Sequence, residues 1–445
     1  MEKGEHGLNN RTRSASAEQE IANDPVTLCE SKTWTQRLRA WSMALWLLMG
    51  PGLLAMIGDN DAGGVVSYAV TGATFGLSFF IPLVLCLSIV TYTIQEMTVR
   101  LGAVTKQGFA KLVYIHFGKG FGRFQMVTLL ILNLLTLMTE FIGMTAGLTL
   151  LGWPLTLADV VSFLLVVAIA IFTGYFTKER LALLVGALNI VFLIVAILTH
   201  PNGATLANAL LHWSLPMRHA SVLWFVIATV GNALAPWMIF FQGSAVIDKG
   251  VEIRHLKLAR IDTALGSIIQ VIIAAAIMIC GAVLYRHVSS IASASPALLI
   301  LSLAHVAGRF SAILFGFGLF NAGFLASITI SLSSSWTIAE TLGWARSLND
   351  KLAAAPRFYA VYIGSLALAA GAILIPHLPL NFTAVLAQVA GGVLIAPTLI
   401  FLIRLTSSET VMGNYRNKAF GKIISWTIAL VLIGLSFALL GQLLF

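Results

Sequence analysis

Eleven apolar runs of membrane-crossing length follow one another along this chain of 445 residues. They cover roughly 43–70, 75–99, 124–151, 156–176, 181–199, 219–247, 261–285, 310–336, 358–376, 381–403 and 423–444. About 20 apolar residues carry a helix across the hydrocarbon core. A spanning segment must satisfy its own backbone hydrogen bonds, which at this length means a helix. Only 10% of the residues are charged, against about 25% in a soluble chain, and the mean hydropathy is +0.91. The sequence therefore predicts an all-α polytopic membrane protein with eleven transmembrane helices.

A net charge of +9 raises the question of a nucleic-acid partner, and the placement of the charge answers it. With the N-terminus in the cytosol, 24 of the 27 Lys and Arg fall in cytosolic segments; Arg218, Arg286 and Arg309 are the remainder. The positive-inside rule requires this asymmetry, so the basic excess orients the bundle and implies no nucleic acid. Residues 1–42 mix acidic and basic side chains and contain no apolar signal-peptide core. They read as a disordered cytosolic tail, leaving 43–445 as the transmembrane domain. Cys29, Cys86 and Cys280 are scattered, which excludes a disulfide framework and a zinc site built on cysteine pairs.

Two spans are interrupted. In the first, Gly58-Asp59-Asn60-Asp61-Ala62-Gly63-Gly64 places two carboxylates beside a glycine pair, with no charge in either flank from Trp41 to Ile57 or from Val65 to Val70. An ionised carboxylate at bilayer depth costs at least about 2.5–3.5 kcal/mol, and such residues mark ion or substrate paths. Unwound backbone at that depth is tolerated only inside protein or along a cavity. The break is expected at Asp61–Gly64. In the sixth span, Gly231-Asn232-Ala233-Leu234-Ala235-Pro236 carries a proline that removes a donor and clashes with the preceding turn. The breaks lie five spans apart, giving an odd number of spans per half, so the second half inserts inverted relative to the first. The halves at about 43–199 and 219–403 then form an inverted repeat with substrate bound between the discontinuous helices. The run at 423–444 stands outside as an eleventh helix.

Several segments in order resemble the Nramp family of divalent-metal transporters. Gly50-Pro51-Gly52 followed by Asp61-Ala62-Gly63-Gly64 is similar to the family's first-helix opening and its Asp-Pro-Gly-Asn motif. Gln95 with Arg100-Leu101-Gly102-Ala103-Val104-Thr105 resembles the segment after helix two. Glu140-Phe141-Ile142-Gly143 resembles the helix-three glutamate segment. Gln388-Val389, Pro397, Met412-Gly413-Asn414 and Asn417 resemble helix ten and its exit loop. The resemblance is collinear over most of residues 45–420 and is nearest to the family's Nramp-related magnesium and manganese branch. It implies a LeuT-like fold of five plus five inverted spans and one extra helix, and alternating-access transport.

Departures from the family pattern bear on the cargo. Where the family's helix six reads Met-Pro-His-Asn, with the methionine sulfur on the metal, this chain has Ala235-Pro236-Trp237-Met238. Soft thioether ligands select thiophilic metals, whereas carboxylate, carbonyl and water suit magnesium, calcium and manganese. The family's first-helix asparagine ligand falls at Gly64. Fewer and harder ligands suit an ion that keeps waters, as magnesium does. The family's helix-six histidine falls at Trp237, and an acidic helix-three position at Leu137, leaving Glu140 without a titratable neighbour. A proton relay needs successive titratable groups, so weak or absent proton coupling is expected, with Asp59 the one candidate replacement acceptor.

The candidate metal ligands are Asp61, Asp59, Asn232, the Ala233 carbonyl and Gln388; Gly64, Ala235, Trp237, Gln242 and Glu140 are expected to line the pathway or cavity. Each has a structural alternative. Asn232 and Ala233 can cap the helix break, and Gln242 and Gln388 can bridge helices. Asp59 and Asp61 converge only if the backbone between them is unwound. The pair Glu96 and Arg100 suits an i, i+4 ion pair, and Gly143 with Gly147 suits close helix packing.

The expected function is alternating-access transport of a hard divalent cation, magnesium with manganese also accepted, without strong proton coupling. The alternatives are a proton-coupled manganese or iron importer and a membrane metal sensor without flux. The chain contains no HExxH and no nucleophile–base pair, so it is not expected to be an enzyme. No cofactor is expected beyond the transported ion. The expected partners are that ion and the lipid bilayer; the expected state is a monomer, in a bacterial inner membrane.

Overall fold

The computed structural model describes residues 50–172, 175–214, 221–285, 296–345, 352–375 and 380–444. The tail at 1–42, the first residues of span one, Cys29, Arg218 and Arg286 lie outside them. Among the described residues all regular structure is helical.

The first span is two helices, α1 (Pro51–Asp59) and α2 (Ala62–Phe75). There follow α3 (Phe80–Thr105), α4 (Phe109–Phe117), α5 (Lys119–Thr149), α6 (Leu155–Phe172) and α7 (Tyr175–Ala187). A tight turn at Leu188–Ile190 joins α7 to α8 (Val191–Leu198), and the short α9 (Gly203–Leu211) ends the first half. The second half begins with another split span, α10 (Val222–Ala233) and α11 (Pro236–Asp248), then α12 (Leu256–Ala282), α13 (Pro296–Leu342), α14 (Pro356–Ile373) and α15 (Leu380–Ser407). A one-turn α16 (Glu409–Met412) leads to the last helix, α17 (Ala419–Leu444).

Nine helical segments among the described residues are long and apolar enough to cross a membrane. Adding the split α1–α2 and α6 gives the eleven spans expected. Boundaries shift by several residues at a number of spans, and two cases are informative. The second span runs over Phe80–Thr105, not 75–99, because Gly76 at φ 71 stops α2 and ion pairing carries α3 beyond its apolar stretch. The eighth span starts earlier, with α13 kinked at Gly308 (φ 86, ψ 159), a conformation open to glycine.

Long-range polar contacts gather the basic span ends on one face. Arg260 at the start of α12 reaches Glu96 of α3 at 2.7 Å. Lys249 after α11 pairs with Glu179 of α7 at 2.8 Å. Lys106 donates to the Val251 carbonyl, and Lys178 to the Tyr359 hydroxyl. Asp262 accepts from the backbone N–H groups of Gly50, Gly52 and Leu53 at 3.2, 2.7 and 3.3 Å. That carboxylate caps α1 from a neighbouring helix, satisfying donors a helix start leaves open.

Two large apolar clusters fill the interior. One holds Leu53, Met56, Trp237, Phe241 and Trp336; the other holds Val65, Tyr68, Phe225, Ile277 and Phe315. α1 and α11 pack into the first cluster and α2 into the second, while α10 runs from the second (Phe225–Ala228) into the first (Val230, Ala233). The first break lies where the span passes from one cluster to the other, and the second follows within a turn or two of the same passage; both are inside the bundle.

Candidate metal site

The first break is two residues long. Asn60 (φ −75, ψ 56) ends α1 and Asp61 (φ −71, ψ 169) is extended before α2 resumes at Ala62. The interruption expected at Asp61–Gly64 thus sits upstream of the glycines. The reason is capping: Asp61 Oδ1 accepts the Gly64 N–H, which starts the helix at once. Glu140 adds to the same terminus, its Oε2 accepting from Ala62 N at 2.8 Å and its Oε1 from Thr139 Oγ1 at 3.1 Å. Two carboxylates at the N-terminus of α2 suit the helix dipole.

The second break is Leu234 (φ −141, ψ 47) and Ala235 (φ −64, ψ 133), with Pro236 opening α11, where a missing N–H costs nothing. The Ala233 carbonyl, an expected ligand, differs from expectation in its surroundings. It accepts from Thr91 Oγ1 at 3.0 Å and Gln270 Nε2 at 3.2 Å, which takes up both lone pairs of this oxygen. Gln270 also donates from Nε2 to Asp59 Oδ2, and its backbone carbonyl accepts from Asn60 Nδ2 at 3.0 Å. One residue of α12 thereby ties the two breaks together.

The breaks meet at Gly64. A Cβ placed there would lie 3.0 Å from Asp61 Oδ1, 3.4 Å from the Asp59 carbonyl oxygen and 3.6 Å from Asn232 Oδ1. All three are oxygens, and the missing side chain leaves the space between them open. Asp59 faces this space with its carbonyl, while its Oδ2 is held by Gln270. Asn232 caps nothing: neither Oδ1 nor Nδ2 has a hydrogen-bond partner, and Asp59 Oδ1, Asn60 Oδ1 and Gln270 Oε1 are likewise unpartnered. A buried polar group left so costs about 1–3 kcal/mol, and a cluster of them calls for a ligand, ion or water.

The charge of the site asks for the same thing. Asp59, Asp61 and Glu140 are all buried, and among the described residues no Lys or Arg pairs with any of them. Uncompensated carboxylates in a protein interior are costly. A bound cation removes that cost and uses the open oxygens. Among the described residues no three His, Cys, Asp or Glu form a metal-holding group; the oxygens gathered here are carboxylate, amide and carbonyl.

Other expected site residues gather around this centre. Gln388 of α15 donates from Nε2 to Asp61 Oδ1 at 3.0 Å. Gly63 lets Gln388 and Thr139 come close, since a Cβ there would lie 2.8 and 2.5 Å from their polar atoms. Ala235 is buried with its small side chain at the second break. Trp237 is fully buried, packs edge-on to Phe241 at 6.0 Å and stands 3.4 Å from where a Cβ on Gly58 would be. Gln242 instead bridges helices, donating to Thr263 Oγ1 at 2.9 Å. Ser333 donates to the Trp237 carbonyl and Ser334 accepts from Asn133, both packing contacts. Gly143 lies against Ala62, whose Cβ would be 2.2 Å from one on the glycine. Gln270, Thr91 and Thr139 were not singled out from the sequence. A glutamine amid the apolar seventh run was the one signal available for Gln270.

Comparison with known proteins agrees with this architecture. The family model described as natural resistance-associated macrophage protein-like matches residues 52–442. The "Divalent metal cation transporter MntH" of Levilactobacillus brevis is 25% identical over 98% of this chain and 96% of its own length. The protein of the same name from Lacticaseibacillus casei is 28% identical over 88% of each chain. The crystal structure of the Eremococcus coleocola manganese transporter in complex with an aromatic bis-isothiourea compound superposes with a TM-score of 0.74 at 20% identity, over 90% of this chain and 88% of that one. The fold is LeuT-like, and over nearly its whole described length the chain belongs to the Nramp family.

Proposed function

We propose that this protein carries a divalent metal cation across the cell membrane by alternating access, with the ion held where the two broken helices meet. The observation that carries the reading is the oxygen-lined space at Gly64, bounded by Asp61 Oδ1, the Asp59 carbonyl and the unpartnered Asn232. Asp61 supplies the charge, Asn232 and Asp59 supply neutral oxygens, and Gln388 closes over Asp61 from α15. The site residues are buried in this conformation, so opening to either side requires the helix halves to move apart. Such motion suits split helices, whose halves are already separate rigid pieces.

The cargo follows from the donors. Oxygen donors suit magnesium and manganese, and the three oxygens stand 3.0–3.6 Å from one point. Magnesium dehydrates reluctantly and usually keeps several waters, which suits a site that offers few protein oxygens and no side chain at Gly64. Gly64 and Ala235 supply no side-chain ligand, and sulfur is absent from both positions. This favours a hard, partly hydrated ion: magnesium, with manganese also carried. Coupling to protons is weak on this reading, because Trp237 and Leu137 cannot titrate and both oxygens of Glu140 accept hydrogen bonds, Oε2 from Ala62 N at the start of α2 and Oε1 from Thr139 Oγ1 of its own helix. The bacterial relatives support a cytoplasmic-membrane location.

A second reading, proton-coupled import of manganese or iron, is favoured by the names of the relatives, divalent metal cation and manganese transporters. Manganese is common to both readings. Purified protein in liposomes tests them together, with manganese influx and internal pH followed at once. Influx abolished by Asp61→Ala supports transport through this site; a wild type that binds metal without flux leaves only a sensor. Internal acidification in proportion to metal influx overturns the uncoupled reading and establishes the second.

A further inference from the structure

At the basic face a cavity of about 640 Å³ lies between α3, the start of α12 and the segment leading into α17. A second cavity of about 620 Å³ shares Arg416, Asn417 and Lys418 with it and extends to Lys422. Neither touches the metal site. The walls are strongly basic. Arg100 and Arg260 both turn to the single carboxylate of Glu96, at 3.0 and 2.7 Å. Arg100 continues to Asn417 Oδ1 at 2.6 Å and to the Tyr415 carbonyl. Arg416 pairs with Glu409. Lys418 and Lys422 are exposed and meet no acidic side chain among the described residues. Five basic groups thus face two carboxylates, an excess that the local contacts do not neutralise.

The same helix start is also strongly apolar. Phe420 is 76% exposed and Ile423 65% exposed, three residues apart and so on one face of α17. Lys418 and Lys422, four apart, form the neighbouring edge. A basic cavity roomy enough for a whole head group, beside an apolar stripe, matches a ligand with an anionic head and a hydrocarbon tail. Basic pockets between transmembrane helices on the cytoplasmic side are suited to lipid head groups. The apolar stripe is the reason to choose a lipid over free phosphate.

We propose that these two adjoining cavities together bind the head group of an anionic phospholipid of the cytosolic leaflet, with Arg260 on the first, Lys422 on the second and Lys418 on both, and an acyl chain lying along Phe420 and Ile423. The test is native mass spectrometry of the full-length protein in detergent, supplied with phosphatidylglycerol or phosphatidylcholine at equal concentration. Retention of phosphatidylglycerol in clear preference is expected. The double variant Lys418→Gln/Lys422→Gln should bind it about fivefold more weakly for each lysine removed, while phosphatidylcholine retention stays unchanged. Manganese uptake by the variant in phosphatidylcholine liposomes verifies that it is folded, and Arg260→Gln gives an independent variant if it is not. Equal retention of the two lipids, or undiminished phosphatidylglycerol binding by the folded variants, overturns the proposal. Displacement of the lipid by inorganic phosphate at equal concentration overturns the lipid assignment in favour of a free anion.

Discussion

The position a side chain would take on Gly64 lies 3.6 Å from Oδ1 of Asn232, and the Asn232 amide, fully buried, hydrogen-bonds to nothing among the described residues. One residue makes room and the other offers an unused oxygen to that room, from two spans that the inverted repeat relates to each other. Neither feature helps the protein fold. On the proposed reading both become favourable when an ion binds there.

Asn232→Leu should accordingly separate stability from function. Removing an unpartnered buried amide relieves a penalty of about 1–3 kcal/mol, so the metal-free variant should melt at or above the wild-type temperature. Its manganese uptake should fall steeply. A variant that is both less stable and transport-competent would show that Asn232 serves packing alone.

Filling the space should act on cargo choice. Gly64→Ala puts a methyl group 3.0 Å from Asp61 Oδ1, displacing water that a hydrated ion would bring. Magnesium dehydrates more reluctantly than softer ions, so its uptake should fall more than that of manganese. Equal losses would locate the hydrated shell elsewhere.

At the second break, Ala235→Met restores a thioether. Soft donors favour thiophilic ions, and the expected outcome is a shift in preference toward cadmium, cobalt and manganese over magnesium. Competition uptake measures it. An unchanged order would mean that selectivity does not depend on this position.

Asp262 offers a test of architecture away from the ion. Its carboxylate accepts three backbone N–H groups at the start of α1, where capping residues contribute about 0.5–2 kcal/mol. Asp262→Ala should lower the melting temperature in detergent, and Asp262→Asn, which keeps an acceptor oxygen, should recover part of the loss.

Much of this was legible in the sequence, for definite reasons. Apolar run length and the Lys/Arg bias are local properties, so eleven spans and the basic face could be read directly. The breaks were visible because carboxylates and Pro236 are costly inside an apolar run. What escaped was long-range. Gln270 meets Asp59 across 211 residues, and nothing in its own neighbourhood announces that contact. Asp262 sits among basic residues and reads as an ordinary interfacial acid, yet it caps α1. The displacement of the first break from the glycines to Asn60–Asp61 arose because Asp61 caps the helix that the glycines were expected to interrupt. Ala233 was expected to face the ion because a break frees carbonyls, but Thr91 and Gln270 take that oxygen and the Asp59 carbonyl faces the space instead.

The claim that the emptied pocket favours a hard, hydrated ion rests most directly on one competition. Manganese influx into liposomes containing the purified protein is measured as external magnesium is raised into the millimolar range. The expected result is progressive suppression of manganese influx together with magnesium uptake that Asp61→Ala abolishes. Manganese influx unaffected by millimolar magnesium would contradict it.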